Sequence, residues 1–217
     1  MKVFYLRLIK LLFGLFLYAL GIVITLKASI GYAPWEVFHV GLAKTTGISI
    51  GNASIAAGLV IGIAAVLLGE KLGLGTILNM ILIGIFLDII LEFNFIPSAA
   101  GLLQGLPMLI AGLFMISLAS YFYINSGFGA GPRDSLMVAL TRKTKLPVGL
   151  CRGTIEILAV LVGWRLGGLV GIGTLISAFA IGFCIQTTFR LLKFDATRVR
   201  HETLDATFKT ICRSSAD

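Results

Sequence analysis

Apolar residues gather into six long runs, at about 8–27, 51–69, 74–94, 105–125, 149–166 and 172–192. Each is near 20 residues, enough to cross a hydrocarbon core of roughly 30 Å as a helix. Two shorter, mixed stretches lie at 32–46 and 130–146. Each opens on a Gly-rich turn and a proline and then takes on a helical pattern. The tail from Phe194 to Asp217 is polar, with Leu204, Phe208 and Ile211 at helical spacing. It reads as a short amphipathic helix at the cytoplasmic surface.

The pattern repeats at a shift of 98 residues without gaps. Gly14-Leu15-Phe16 matches Gly112-Leu113-Phe114, Gly31 and Pro34 match Gly129 and Pro132, and Gly51 matches Gly149. Gly73-x-Gly75-Thr76 matches Gly171-x-Gly173-Thr174, and Gly84 matches Gly182. Such a register implies duplication. Each copy holds three long spans, so the second begins on the opposite side of the membrane from the first. The fold class expected is therefore all-α: a polytopic membrane helix bundle of two inverted three-span repeats (3+3), each with an extra short re-entrant or broken helix. One transmembrane domain covers 1–193, with repeat one at about 8–95 and repeat two at about 105–193. Residues 194–217 form a cytoplasmic tail.

Composition sharpens this reading. Of 217 residues, 58% are hydrophobic and 13% charged, against about 25% charged in soluble domains. The net charge of +8 would suit a nucleic-acid binder, but the basic residues cluster at the ends of apolar runs, which is an orientation signal. No basic stripe with interleaved aromatics tracks a phosphate backbone, so nucleic acid is not an expected partner. With the N-terminus in the cytoplasm, the inner side receives Lys2, Arg7, Lys10, Lys71, Arg133, Arg142, Lys143, Lys145 and the tail. The outer side receives Lys27, Lys44 and Arg165. Six spans with both termini cytoplasmic follow; crossing by the short segments would make eight. The basic start resembles a signal peptide, but its apolar stretch from Leu11 to Leu26 is too long and lacks a clean cleavage site.

The chemistry left to assign is sparse. Cys151, Cys184 and Cys212 form no C-x-x-C, and His39 and His201 are far apart. No metal site, disulfide framework or cofactor is expected. No Ser/His/Asp or Cys/His set and no Walker sequence is readable, so an enzyme is not expected.

Three sets of residues remain. The paired breaks are Gly31-Tyr32-Ala33-Pro34-Trp35-Glu36 and Gly129-Ala130-Gly131-Pro132-Arg133-Asp134. Glu36 and Asp134 fall in a first helical turn, where a carboxylate meets free N–H groups. Helix capping alone would explain them. The sharper reading is a broken helix facing a polar cavity, since irregular backbone at membrane depth must be buried in protein or line water. The Gly-x-Gly-Thr pair reads as two helix starts after tight turns. Polar groups inside spans are Asn79, Asp88, Glu156 and Gln186, candidates by default because burying them is costly. Asp88 matches Gln186, and Asn79 matches Ser177. The plain alternatives are a watery interface for Asp88 and an i,i+4 ion pair with Arg152 for Glu156. With Trp35, His39, Pro132 and Arg133 on the breaks, these are the candidate substrate-binding residues, and Gly31, Gly129 and Gly131 supply the backbone break.

Four segments, GYAPWEVFHVGL, GLGTILNMILIGIFLD, GFGAGPRDSLMVAL and GIGTLISAFAIGFCIQ, occur in order. Through them the chain resembles the YczE/YyaS/YitT family of bacterial integral membrane proteins, and the YczE branch most closely. The resemblance covers about residues 10 to 190. It implies a bacterial inner membrane and an uncharacterised role with transport suspected, and it supplies no substrate or catalytic residue. The expected function is transport or export of a small solute at the repeat interface. The alternative is a membrane scaffold that holds a cytoplasmic protein through the Arg142–Lys145 loop and the tail. The oligomeric state is left open.

Overall fold

The computed structural model describes residues 2–199 and 201–207. Phe208, Ile211 and Cys212 lie outside these residues. The described chain is helical: α1 (Lys2–Lys27), α2 (Pro34–Thr46), α3 (Ile50–Leu67), α4 (Leu74–Phe93), α5 (Leu102–Asn125), α6 (Pro132–Thr144), α7 (Val148–Arg165) and α8 (Ile172–Leu191), then a 3₁₀ turn at Ala196–Arg198. Among the described residues there is no strand. Five helices, α1, α3, α4, α5 and α8, are long and apolar enough to cross a membrane. The remaining expected span, α7, has matching length but carries Arg152, Glu156 and Arg165.

The bundle is built on α1 and α5, which run antiparallel through glycines. Gly14 sits against the backbone of Tyr123, and Gly21 faces Gly112 across the pair. A Cβ at Gly21 would lie 3.0 Å from the Gly112 carbonyl, so only hydrogen lets the helices come this close. In lipid, where apolar surface gains little from mere association, such close packing is a main source of helix adhesion. Leu11, Leu15, Ile22 and Val23 of α1 are buried with Ile116 and Tyr123 of α5 and Ile83 and Leu87 of α4. Large apolar side chains such as Leu67, Leu103 and Phe179 point outward. A water-facing protein rarely exposes so continuous an apolar surface; here it is the lipid-facing skin.

Contacts at the helix ends define two faces. Arg7 of α1 donates to the Ser126 carbonyl after α5 at 2.7 Å, and Arg142 at the end of α6 donates to the Leu68 carbonyl after α3 at 2.9 Å. On the opposite face Lys27 meets Asn94 at 2.6 Å, and Lys44 meets the Gly167 carbonyl at 3.0 Å. The flanks of α2 both lie on that opposite face, and those of α6 both lie on the N-terminal face. At 13 residues each, the two short helices are about 20 Å long, less than a roughly 30 Å core.

The tail docks rather than floating free. The Glu202 amide donates to the Gly127 carbonyl and the Leu204 amide to the Leu72 carbonyl. Arg7 holds the Glu202 carboxylate at 2.6 Å while lying over the Phe128 ring. This ion pair is partly buried, so Glu202→Gln is expected to loosen residues 201–207 by about 1 kcal/mol. Hydrogen exchange at the Glu202 and Leu204 amides should then speed up severalfold, with the helices unchanged. Unaltered exchange would mean the backbone bonds alone hold the strap.

Candidate cavity between the helix breaks

The breaks form because glycine and proline leave the chain no regular alternative. Gly31 has φ 116° and Gly129 φ 131°, values that side chains rarely adopt. Pro34 and Pro132 then occupy the first helical positions after extended Ala33 and Gly131, where a missing N–H costs nothing. Each break is clasped by a Gly-x-Gly-Thr helix start. The Gly173 amide donates to the Ile30 carbonyl at 2.8 Å, and the Gly75 amide to the Phe128 carbonyl at 2.8 Å. Thr76 also donates to the Ala130 carbonyl at 2.6 Å. Thr76 and Thr174 accept from the Gly73 and Gly171 amides that open their own helices. The Gly-x-Gly-Thr pair therefore starts α4 and α8, as expected, and also satisfies unwound backbone that the membrane would leave unpaired.

Between the breaks lies a cavity of about 130 Å³, room for several waters or a small solute. Trp35 and His39 reach it from α2, and Pro132, Arg133 and Asp134 from α6. Tyr18, Ser54, Asn79, Tyr123, Arg152 and Glu156 complete its polar lining. A second cavity of about 80 Å³ shares Tyr18, Trp35, Arg133, Arg152 and Glu156 with the first. Pro34, Glu36, Ser177 and Ile181 belong to this second space.

The polar groups are organised in pairs. The Arg133 guanidinium carbon lies 4.4 Å from the centre of the Trp35 ring, a cation–π contact whose strength grows with desolvation. Arg133 also comes within 3.5 Å of His39 Nε2. The Tyr123 hydroxyl donates to Asp134 Oδ2 at 3.1 Å. Arg152 donates to Glu156 at 3.0 Å, the i,i+4 pair expected from spacing. Glu36 and His39 are 6% and 1% exposed, so both are enclosed by protein. Two guanidinium groups thus face three carboxylates, one negative charge in excess when all are ionised.

Nine candidates meet around the two cavities: Pro34, Trp35, Glu36, His39, Asn79, Pro132, Arg133, Asp134 and Glu156. Asp88 and Gln186 line neither. Asp88 instead accepts from the Gly51 amide at 2.7 Å and from the Ser49 hydroxyl, which fastens the start of α3 to α4. Gln186 is exposed on the outside of α8. The Glu36 and Asp134 carboxylates occupy first helical turns, as capping predicts, and the same positions put them at the cavity wall. Tyr18 and Tyr123 were not singled out by sequence; a tyrosine inside an apolar span, with a hydroxyl that needs a partner, was the available signal. Among the described residues no three metal-ligand side chains gather to hold an ion.

The chain has relatives among known proteins. The chain is 33% identical over 192 residues to the uncharacterised membrane protein YczE of Bacillus subtilis, covering 85% of this chain and 88% of that one. It is 34% identical over 176 residues to an uncharacterised protein of Haemophilus influenzae, covering 81% and 80%. It is 27% identical over 178 residues to the uncharacterised protein YyaS of Bacillus subtilis, covering 80% and 87%. No solved structure matches it. YczE is itself described as a membrane protein, and the family model spans residues 5–190, nearly the whole helical bundle; the chain belongs to DUF6198, a family of unknown function.

Proposed function

We propose that this chain moves a small solute across the bacterial inner membrane, with two inverted repeats enclosing the site. The observation that carries this reading is the shared lining: breaks 98 residues apart in sequence, at Pro34 and Pro132, each send a residue, Trp35 and Arg133, to both charged cavities. Paired helix breaks near the bilayer midplane are a recurring design of secondary transporters. The inverted arrangement draws support from the exchange of clasps, Gly173 to Ile30 and Gly75 to Phe128, which map onto one another under the repeat. The positive-inside bias puts the N-terminal face, with Arg7, Arg142 and the tail, in the cytoplasm. Six crossings then include α7, whose Arg152 and Glu156 turn toward the cavity. On this reading the bundle is one domain and carries out no covalent chemistry. A scaffold that holds a cytoplasmic partner through its tail gains less support, because residues 201–207 are already engaged with the bundle.

Flux into proteoliposomes loaded with metabolite mixtures tests the reading. Neutralising Glu36, Asp134 or Glu156 is expected to lower a wild-type flux about 100-fold. Losing a hydrogen bond to a charged group costs up to about 3 kcal/mol, and each 1.36 kcal/mol is tenfold in rate. Asp88→Asn and Gln186→Ala, in folded protein, should stay within about twofold, since surface changes are usually within ±0.5 kcal/mol and Asp88 acts only through the start of α3. A flux indifferent to all three cavity carboxylates would refute the site.

A further inference from the structure

The two cavity arginines differ. Arg152 is neutralised by Glu156 at 3.0 Å, whereas Arg133 enters no ion pair among the described residues. Its guanidinium rests over the Trp35 ring and comes within 3.5 Å of His39 Nε2. A guanidinium held over an aromatic face keeps its N–H fork for a planar acceptor. Beside it on α6, Asp134 gives one oxygen to Tyr123, and its other oxygen takes no hydrogen bond from a described residue.

Charge decides what can enter. Arg133 and Arg152 line the first cavity with Asp134 and Glu156, while Glu36 lines only the second, so the formal charges of the first balance. A free anion or a simple cation would upset that balance, and uncompensated charge inside a membrane protein is costly. A ligand carrying both signs meets both groups and adds no net charge. The cavity volume of about 130 Å³ suits a ligand of few heavy atoms.

We infer that the ligand of this cavity is a small amino carboxylate, its carboxylate on the Arg133 fork and its ammonium on the second carboxylate oxygen of Asp134. This deepens the transport reading and rests on its assignment of the cavity as the solute site. Trp35 is the platform that orients Arg133 and also its reporter.

The chain has two tryptophans, and Trp164 is exposed on α7. In full-length Trp164→Phe protein in detergent, glycine, L-alanine and L-serine are expected to change Trp35 emission saturably. Acetate, methylamine and inorganic phosphate, each bearing one sign of charge, should bind at least tenfold more weakly. Arg133→Lys keeps the charge but loses the fork, and should weaken amino carboxylates tenfold or more. Asp134→Asn should weaken the amino carboxylates and leave acetate unchanged. The inference is overturned if no amino carboxylate gives a saturable change or if any one-sign probe matches them. It is also overturned if Arg133→Lys, eluting as folded protein, binds as wild type; should Arg133→Lys misfold, Asp134→Asn and the probe comparison still decide. Binding of an amino carboxylate without flux into proteoliposomes would end the transport reading and leave this ligand class standing. A flux that excess glycine, alanine and serine fail to inhibit would do the reverse.

Discussion

Leucine in place of Gly51 is expected to separate α3 from α4, while leucine at the matching Gly149 leaves the fold intact. A Cβ at Gly51 would lie 2.1 Å from the Gly84 carbonyl oxygen and 2.5 Å from the Asp88 carboxylate. A Cβ at Gly84 would meet the Gly51 carbonyl at 2.5 Å. Backbone therefore lies on backbone, and no rotamer relieves the clash. Overpacking costs about 1–3 kcal/mol, and loss of the Asp88 bond to the Gly51 amide adds about 1 kcal/mol. Together they are a large part of a stability of roughly 5–15 kcal/mol. In the second copy, Gly149, Gly153 and Gly182 have no atom within 4 Å of an added Cβ, and α7 and α8 scarcely touch where α3 and α4 pack closely. Thermal unfolding in detergent should show Gly51→Leu far below wild type and Gly149→Leu close to it.

The same pair divides stability from movement. On the transport reading, the two copies sit in different states: α3–α4 closed, α7–α8 open beside the second cavity. Alternating access exchanges those states, so Gly149 and Gly182 become the closing surface of the other conformation. Gly149→Leu should then stay folded yet lose most flux. A Gly149→Leu protein that is both stable and fully active would show that α7 and α8 never close in this way.

What the sequence made legible follows its physical origin. Glycines and prolines act through local backbone geometry, so the breaks at Gly31–Pro34 and Gly129–Pro132 appear at the expected places. Membrane depth is also written in apolar run length, which located the helices. Which side of a helix faces the cavity is not, because nearly every position in these runs is apolar. Asp88 and Glu156 are both acids in long helices, yet Glu156 reaches the cavity while Asp88 fastens a helix start. Tyr18 and Tyr123 have no tyrosine counterpart at the 98-residue shift, so the repeat gave no hint of them. Trp35 and Arg133 do match under that shift, but their meeting depends on α2 and α6 entering from opposite faces. The docking of the tail rests on Arg7, nearly 200 positions away, and local periodicity carries no such pairing.

Alanine at Gly31 or Gly129 is expected to damage the protein to a similar degree, and much more than alanine at Gly47. Gly47 has φ 76° with nothing within 4 Å of an added Cβ, so its cost is conformational alone, about 1 kcal/mol. At Gly31 the added carbon would lie 2.7 Å from the Gly171 amide nitrogen, and at Gly129 it would lie 3.0 Å from the Gly73 Cα. Both also hold positive φ, worth roughly 1–3 kcal/mol of strain for a side chain. Relief would push each break off its clasp and strand the Ile30 or Phe128 carbonyl, a buried acceptor worth about 1–3 kcal/mol. The yield of monodisperse protein and its unfolding temperature should therefore fall steeply for both variants and slightly for Gly47→Ala. A mild Gly129→Ala beside a severe Gly31→Ala would mean that only one break is under tension, and that the copies do not share the load. Equal severity ties the site to the clasps. Once Gly173 and Gly75 have satisfied the unwound carbonyls, the starts of α2 and α6 can hold Glu36, Arg133 and Asp134 toward the cavity without leaving backbone unpaired inside the membrane.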